Sequence, residues 1–302
     1  MIRASHIALA VFLTGAVLLL SPNETRGQTQ RLDFDQPEAW ALKRFTSATL
    51  IGGFSEPWRH RTGSVSFGLE LGWLPELDRE QLRVGFSGTK EEDLNKVPVV
   101  VRPRVTVGLP GRFSVDFAAT PPFRVFGVRP RLFALAVQRP IFERDRWTLG
   151  WRTYGQLGTV TGAFSCPQKV LDSPPGSASN PAGCVAESAD KASLRYAGGE
   201  IQFTHKVPRV RGLTAHVAGG GNLIDGKYQV HAPRVGRLDQ TRLRARGPTF
   251  STSAGIAYLL TSRVALDIDA FYTPLWVKRS ADAPRENDGF FNVRALLSYR
   301  LR

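Results

Sequence analysis

After its first twenty residues the chain has no long apolar run. A membrane-spanning helix needs about 20 such residues in a row, so helical spans beyond the N-terminus are excluded. Cysteine is scarce, with two residues in 302, and there is a single methionine. Five histidines are scattered, and no Gly-x-Ser-x-Gly elbow, His-Glu-x-x-His pair or phosphate-cradling loop occurs. These absences remove the usual signatures of a hydrolase, a zinc enzyme and a nucleotide-binding enzyme. No cofactor and no metal site is expected. The formal net charge is +14. A basic chain can bind nucleic acid, but here the arginines are spread over the whole length with no helix-turn-helix, finger or basic helix to present them. Nucleic acid is therefore not an expected partner.

What the chain does have is glycine (29), proline (20) and alternation. In Gly289–Arg302, Phe291, Val293, Ala295, Leu297, Tyr299 and Leu301 form one face of a strand, and Asn292, Arg294, Ser298 and Arg300 fall on the other. One side stays apolar for the whole length, as in a strand with lipid outside and a polar interior. The expected fold is all-β, an antiparallel transmembrane β-barrel of about twelve strands. They are Arg44–Phe54, Gly63–Trp73, Gln81–Ser87, Val97–Leu109, Arg112–Pro121, Arg129–Gln138, Arg146–Thr161, Ala192–His205, Gly212–Asn222, Gly247–Leu260, Arg263–Trp276 and Gly289–Leu301. Leu109–Arg112, Phe142–Arg146, Lys206–Arg211 and Leu260–Arg263 are short connections, whereas Gly162–Lys191, Leu223–Arg246 and Val277–Asp288 are long. Short and long alternate, as periplasmic turns and external loops do. A soluble sandwich also alternates, but its solvent face would carry charge throughout and its strands would be shorter.

Met1–Gly27 reads as a cleaved signal peptide, with Arg3 ahead of the apolar stretch Ile7–Leu20. Residues 28–43 read as a short periplasmic segment, in which Asp35-Gln36-Pro37-Glu38 starts a helix of a turn or two. Residues 44–302 form the barrel.

A lipid-facing arginine or lysine at mid-bilayer costs roughly 2–4 kcal/mol, so charge must keep to the inward parity. Glu70, Arg83, Arg102, Arg104, Asp116, Arg152, Glu200, Asp267, Asp269 and Arg294 do so and are expected to line the interior. Trp73, Phe113, Trp147, Tyr258 and Tyr299 fall outward at periplasmic ends, and Tyr272, Trp276 and Phe291 outward at external ends, as two aromatic girdles. Arg131, Arg195 and Arg246 break the parity rule at external strand ends, and Lys278 lies just beyond a strand on the same side. They suit a basic collar on phosphates of outer-membrane lipid, lipopolysaccharide in particular; the alternative is that they only snorkel into water. Cys166 and Cys184 share one external loop and are expected to form a disulfide in an oxidising compartment.

Two functions follow from two packings of the interior charge. Charges sorted by sign onto opposite walls suit a narrow, weakly selective channel for small polar solutes, the leading expectation. Charges paired in networks suit a filled, non-conducting barrel that binds lipid or a macromolecule at its surface. A lipid-modifying enzyme ranks third. His205 and His216 flank a periplasmic turn, the wrong end for an outer-leaflet substrate, and Asp267 with Asp269 more often meets arginines than a metal.

Residues 44–302 resemble Gram-negative outer-membrane β-barrel proteins in signal segment, alternating strands, girdles and the terminal strand Phe290–Leu301. The stretches Asp35-Gln36-Pro37-Glu38-Ala39-Trp40-Ala41 and Glu286-Asn287-Asp288-Gly289-Phe290-Phe291-Asn292-Val293 are similar to one group of such barrels, and that likeness implies nothing about substrate. The resemblance implies an outer-membrane location and delivery by the barrel-assembly machinery. Barrels of this class usually end on an aromatic residue that the machinery reads, whereas this chain ends Tyr299-Arg300-Leu301-Arg302.

Overall fold

A computed structural model describes residues 29–55, 61–280 and 282–301. The leader Met1–Gly27 and its cleavage point lie outside the described residues. Ten antiparallel strands close a barrel: β1 (Val65–Trp73), β2 (Val99–Leu109), β3 (Phe113–Ala119), β4 (Arg129–Glu143), β5 (Trp147–Gly162), β6 (Asp190–Lys206), β7 (Leu213–Gln229), β8 (Arg242–Leu259), β9 (Val264–Thr273) and β10 (Phe290–Arg300). Each pairs with its neighbours in sequence, and β10 pairs with β1 to close the wall. Closure leaves no long edge to seek another chain.

The burial pattern is that of a protein turned inside out. Along β1, Phe67, Leu69, Leu71 and Trp73 are 43–52% exposed, while Ser66 and Glu70 are only 2% exposed. The same inversion holds in β10, where Phe291, Val293, Leu297 and Tyr299 are exposed and Asn292, Arg294 and Ser298 are buried. Water would not tolerate such a surface on a monomer; hydrocarbon does. Strands β4 to β8 run to 15–18 residues. That exceeds the ~9–11 residues needed to cross, so their outer ends stand above the membrane.

Two of the twelve expected strands are not in the wall. Arg44–Phe54 is the end of helix α1 (Pro37–Ser47) followed by a turn and an irregular run that, among the described residues, pairs with no strand. Gln81–Ser87 becomes a small hairpin, Arg83–Gly85 with Lys90–Glu91, in the connection between β1 and β2. Losing one strand before β1 and one after it keeps the number even but reverses the direction of β1. Trp73 therefore pairs with Val99 at the long-loop rim and belongs to the external girdle.

Helix α1 is longer than the expected turn or two, and it lies against the barrel strands rather than in a tail ahead of them. It packs on β6, β7 and β8 near their long-loop ends, with Leu42 against Gly226, and Phe34, just ahead of the helix, lies against Gly247. Pro37 starts it and Glu38 sits in its first turn, as the sequence indicates. Its position follows from its burial: Trp40 is fully buried and Lys43 nearly so, which a solvated tail would not provide. Trp40 Nε1 donates to Asp288 O at 2.9 Å, Lys43 Nζ to Trp276 O at 2.7 Å and Arg44 Nη2 to Pro75 O at 2.8 Å, tying the helix to two external loops. Cys166 and Cys184 are joined in a disulfide in the loop between β5 and β6, and that loop packs on Val230 and Ala232 over the barrel mouth.

Candidate functional site

From α1 the chain descends through the barrel. Residues 48–50 turn off the helix, their N–H groups bonded to the carbonyls of Arg44, Thr46 and Ser47, and residues 51–55 follow as an irregular run; side chains of the wall satisfy most of the remaining backbone groups. Thr49 O accepts from Arg102 Nη1 at 2.6 Å and Tyr196 Oη at 2.8 Å. Leu50 O accepts from Arg294 Nη1 at 2.9 Å, Gly52 O from Arg294 Nη2 at 2.8 Å and Phe54 O from Arg152 Nη2 at 2.7 Å. In the other direction Gly53 N donates to Glu200 at 3.1 Å and Ser55 N to Asp267 Oδ2 at 2.9 Å. A buried backbone must find partners, and here guanidiniums and carboxylates replace a neighbouring strand. The fit is close at two glycines. A Cβ on Gly52 would lie 2.4 Å from Glu200 Oε2, and Gly53 holds φ at +99° against Arg294 and Asp269.

Nine of the ten residues expected to line the interior do face it. Glu70, Arg102, Arg104, Asp116, Arg152, Glu200, Asp267, Asp269 and Arg294 are each 5% exposed or less. Most meet opposite charge directly. Arg102 Nη2 is 2.7 Å from Glu70 Oε1, Arg104 Nη2 is 2.6 Å from Glu70 Oε2, Arg152 Nη1 is 3.0 Å from Glu200 Oε1 and Arg294 Nη2 is 2.5 Å from Asp269 Oδ2. Arg83 is the correction: it lies in the external hairpin, half exposed, 3.7 Å from Glu91. Its alternation is that of a hairpin over the mouth, not of a wall strand. His216, expected only at a rim, is buried with Nε2 3.4 Å from Asp269 and 3.8 Å from Asp267. Among the described residues no group of three or more His, Cys, Asp or Glu is arranged to hold a metal ion.

Above the charged layer lies an apolar cavity of about 660 Å³. Leu42 and Phe45 of α1, Leu132 of β4, Leu194 of β6 and Leu243 of β8 contribute to its lining. At its polar margin Lys90 Nζ donates to Glu92 at 2.8 Å and to Ser165 O at 2.7 Å. Burial pushes the Glu92 carboxyl up to about 7, against the pull of Lys90.

The wall beside this cavity is incomplete. β2 pairs with β3 only from Arg104 to Leu109, and the contact of β3 with β4 ends at Leu132, whose O accepts from Thr120 N and whose N–H donates to Thr120 Oγ1. Among the described residues, no strand pairs with the β3 side of residues 99–103. Proline explains where pairing stops. Pro103 in β2, Pro121 and Pro122 after β3 and Pro130 in β4 all lack an N–H to donate.

The four basic residues expected as a collar divide. Arg131, Arg195 and Arg246 lie outward on the projecting ends of β4, β6 and β8. Arg131 sits in register with Thr159, Ser193, Lys227 and Arg244, and Arg195 with Asp225 and Arg246. Lys227 and Arg244 thus join a basic band that inspection of single strands missed, because it exists only across strands. Asp225 is its one acid, bonded to Arg244 at 2.7 and 2.8 Å. Lys278 is exposed but stands apart, beyond Trp276–Val277, its backbone N–H donating to Asp35 O.

No family model matches the chain, and no curated protein matches it. Solved structures give distant likenesses. The outer membrane protease OmpT of Escherichia coli is 10% identical with a TM-score of 0.39, over 79% of this chain and 94% of that one. The attachment invasion locus protein Ail of Yersinia pestis is 11% identical with a TM-score of 0.32, over 80% and 100%. The toluene transporter TodX of Pseudomonas putida is 11% identical with a TM-score of 0.34, over 91% and 99%. Closed antiparallel wall, apolar outer face and buried charge together give this chain the fold of a transmembrane β-barrel.

Proposed function

We propose that the protein, exported by a cleaved leader after Gly27, is a lumen-filled, non-conducting barrel that works at its outer rim by holding lipid phosphate, lipopolysaccharide in particular, on the basic band of β4 to β8. The observation that carries this is the register row just described. It sets Arg131, Arg195, Lys227, Arg244 and Arg246 on one outward surface against a single acid, Asp225. The band lies immediately beyond the outward pair Phe133 and Leu157, where hydrocarbon gives way to head groups. Guanidinium is suited to bidentate phosphate contact.

The narrow channel favoured by the sequence required interior charges sorted by sign across an open lumen. Contact pairing around residues 48–55 supports the filled barrel instead. Reversing the charge of Arg131, Arg195, Lys227 and Arg246, four residues of the band, to glutamate tests it. Lipopolysaccharide recovered per purified barrel should fall several-fold; recovery equal to that of the unaltered chain would overturn the reading.

A further inference from the structure

The apolar cavity passes through the barrel wall. Side chains of a strand alternate between faces, so a cavity inside a sealed barrel touches one parity only. This one is lined by Val100, which points inward, and by Val99 and Val101, which point outward and are 37% and 39% exposed. Phe123 and Val125, in the connection between β3 and β4, line it as well. These residues surround the stretch where β2 has no partner on its β3 side. Trp73 of the external girdle is in register with Val99, so the slit descends from the girdle into the outer leaflet. Open strand edges are not stable facing lipid unless something covers them. Here prolines lower the number of unsatisfied donors without closing the gap.

The cavity also holds a polar group that needs a partner. Arg234 lines it and is 7% exposed. Its Nη2 meets Asp239 at 2.7 Å and its guanidinium lies over the Phe86 ring, yet among the described residues Nε has no hydrogen-bond partner. A buried N–H left unpaired is destabilising, and an acceptor on a ligand would relieve it. The acids beside it are already matched, Asp239 by Arg234 itself and Glu92 by Lys90. The lining extends from the slit at β2 to Val230 and Leu243 on the far wall, an elongated space. A volume of about 660 Å³ falls in the range of sites for single small ligands and is too small for the several chains of a membrane lipid.

We propose that this cavity binds one free fatty acid, its chain entering from the outer leaflet through the slit between β2 and β4 and its carboxylate accepting from Arg234. The proposal does not depend on the basic band, because the cavity and the band share no residue and are read by different assays. The test uses the full mature chain in phosphatidylcholine nanodiscs, titrated with a dansyl-labelled undecanoic acid. Saturable enhancement of emission, displaced by palmitate, is the expected result. The nanodisc supplies phospholipid in excess, so saturable binding separates a free fatty acid from a phospholipid chain; its absence overturns the proposal. Leu132→Trp and Ala192→Trp fill the cavity from two strands, β4 and β6, on either side of β5 and should each remove the saturable component. Retention of binding by either variant that still forms a heat-resistant barrel would also overturn it. Arg234→Met should weaken binding about ten-fold, and an unchanged affinity would remove the carboxylate from the assignment. Val101→Trp narrows the slit and should slow association while leaving the equilibrium affinity in place. An unchanged association rate would refute lateral entry.

Discussion

Replacing Glu70 with glutamine perturbs the interior where it is most tightly paired. Glu70 is 2% exposed and accepts from Arg102 Nε at 2.9 Å, Arg102 Nη2 at 2.7 Å and Arg104 Nε at 2.7 Å. Glutamine keeps the shape but removes the charge and turns an N–H₂ group toward a guanidinium. Arg102 and Arg104, 1% and 4% exposed, would then share a buried site without their common anion. Breaking a buried pair from one side costs about 3–5 kcal/mol. With a urea slope of about 2 kcal/mol per molar, the unfolding midpoint in detergent micelles should drop by about 2 M. The control is Glu91→Gln, which breaks the pair with Arg83 where both side chains are about half exposed. It should change stability by no more than about 0.5 kcal/mol. Arg102 also holds the carbonyls of Thr49 and Leu50, so Glu70→Gln should speed hydrogen exchange at the Ile51 and Gly53 amides. A Glu70→Gln barrel that unfolds at the wild-type midpoint would refute the claim that paired interior charge holds the inserted segment.

Other consequences are open to the same methods. Gly53→Ala places a Cβ against Arg294 and Asp269 at a φ of +99°, whereas Gly63→Ala, at φ +79°, meets nothing within 4 Å among the described residues. The first should destabilise more than the second in urea unfolding, and equal effects would mean that backbone strain alone is being read. Ile268→Arg puts a cation on the outward face of β9, where Ile268 is 42% exposed, and should cost about 2–4 kcal/mol in lipid vesicles. Glu92 has a folded pKa raised to about 7 from an ordinary 4.5, so its stabilising effect on the external loop is full below about 4.5 and lost as pH rises through 7. Intrinsic-rate-corrected exchange at the Glu92 amide, which is bonded to Leu82 O, should therefore quicken between pH 5 and 8, and Glu92→Gln should flatten that dependence.

The barrel was legible because lipid imposes a rule on each strand separately. Alternation in β1, β2, β9 and β10 is complete, and nine of the ten inward charges obey it. The misread elements are those whose surroundings are not local. Residues 48–55 are buried, as a strand would be, but their partners are Arg102, Arg152, Glu200 and Arg294 from distant parts of the chain. Arg83 alternates because its hairpin packs over the mouth. Cross-strand features were invisible for the same reason. The basic band needs the register of β4 to β8, and the slit needs the knowledge that β3 stops at Ala119. The prolines at 103, 121, 122 and 130 were a visible signal of that stop, since each removes a donor from a wall that has none to spare.

Ionic conductance of the intact mature chain in a planar lipid bilayer tests the central claim most directly. A barrel whose bore is occupied by its own N-terminal segment should insert and stay electrically silent over the full range of applied voltage. Steady, ohmic current steps from that same intact chain would contradict the account.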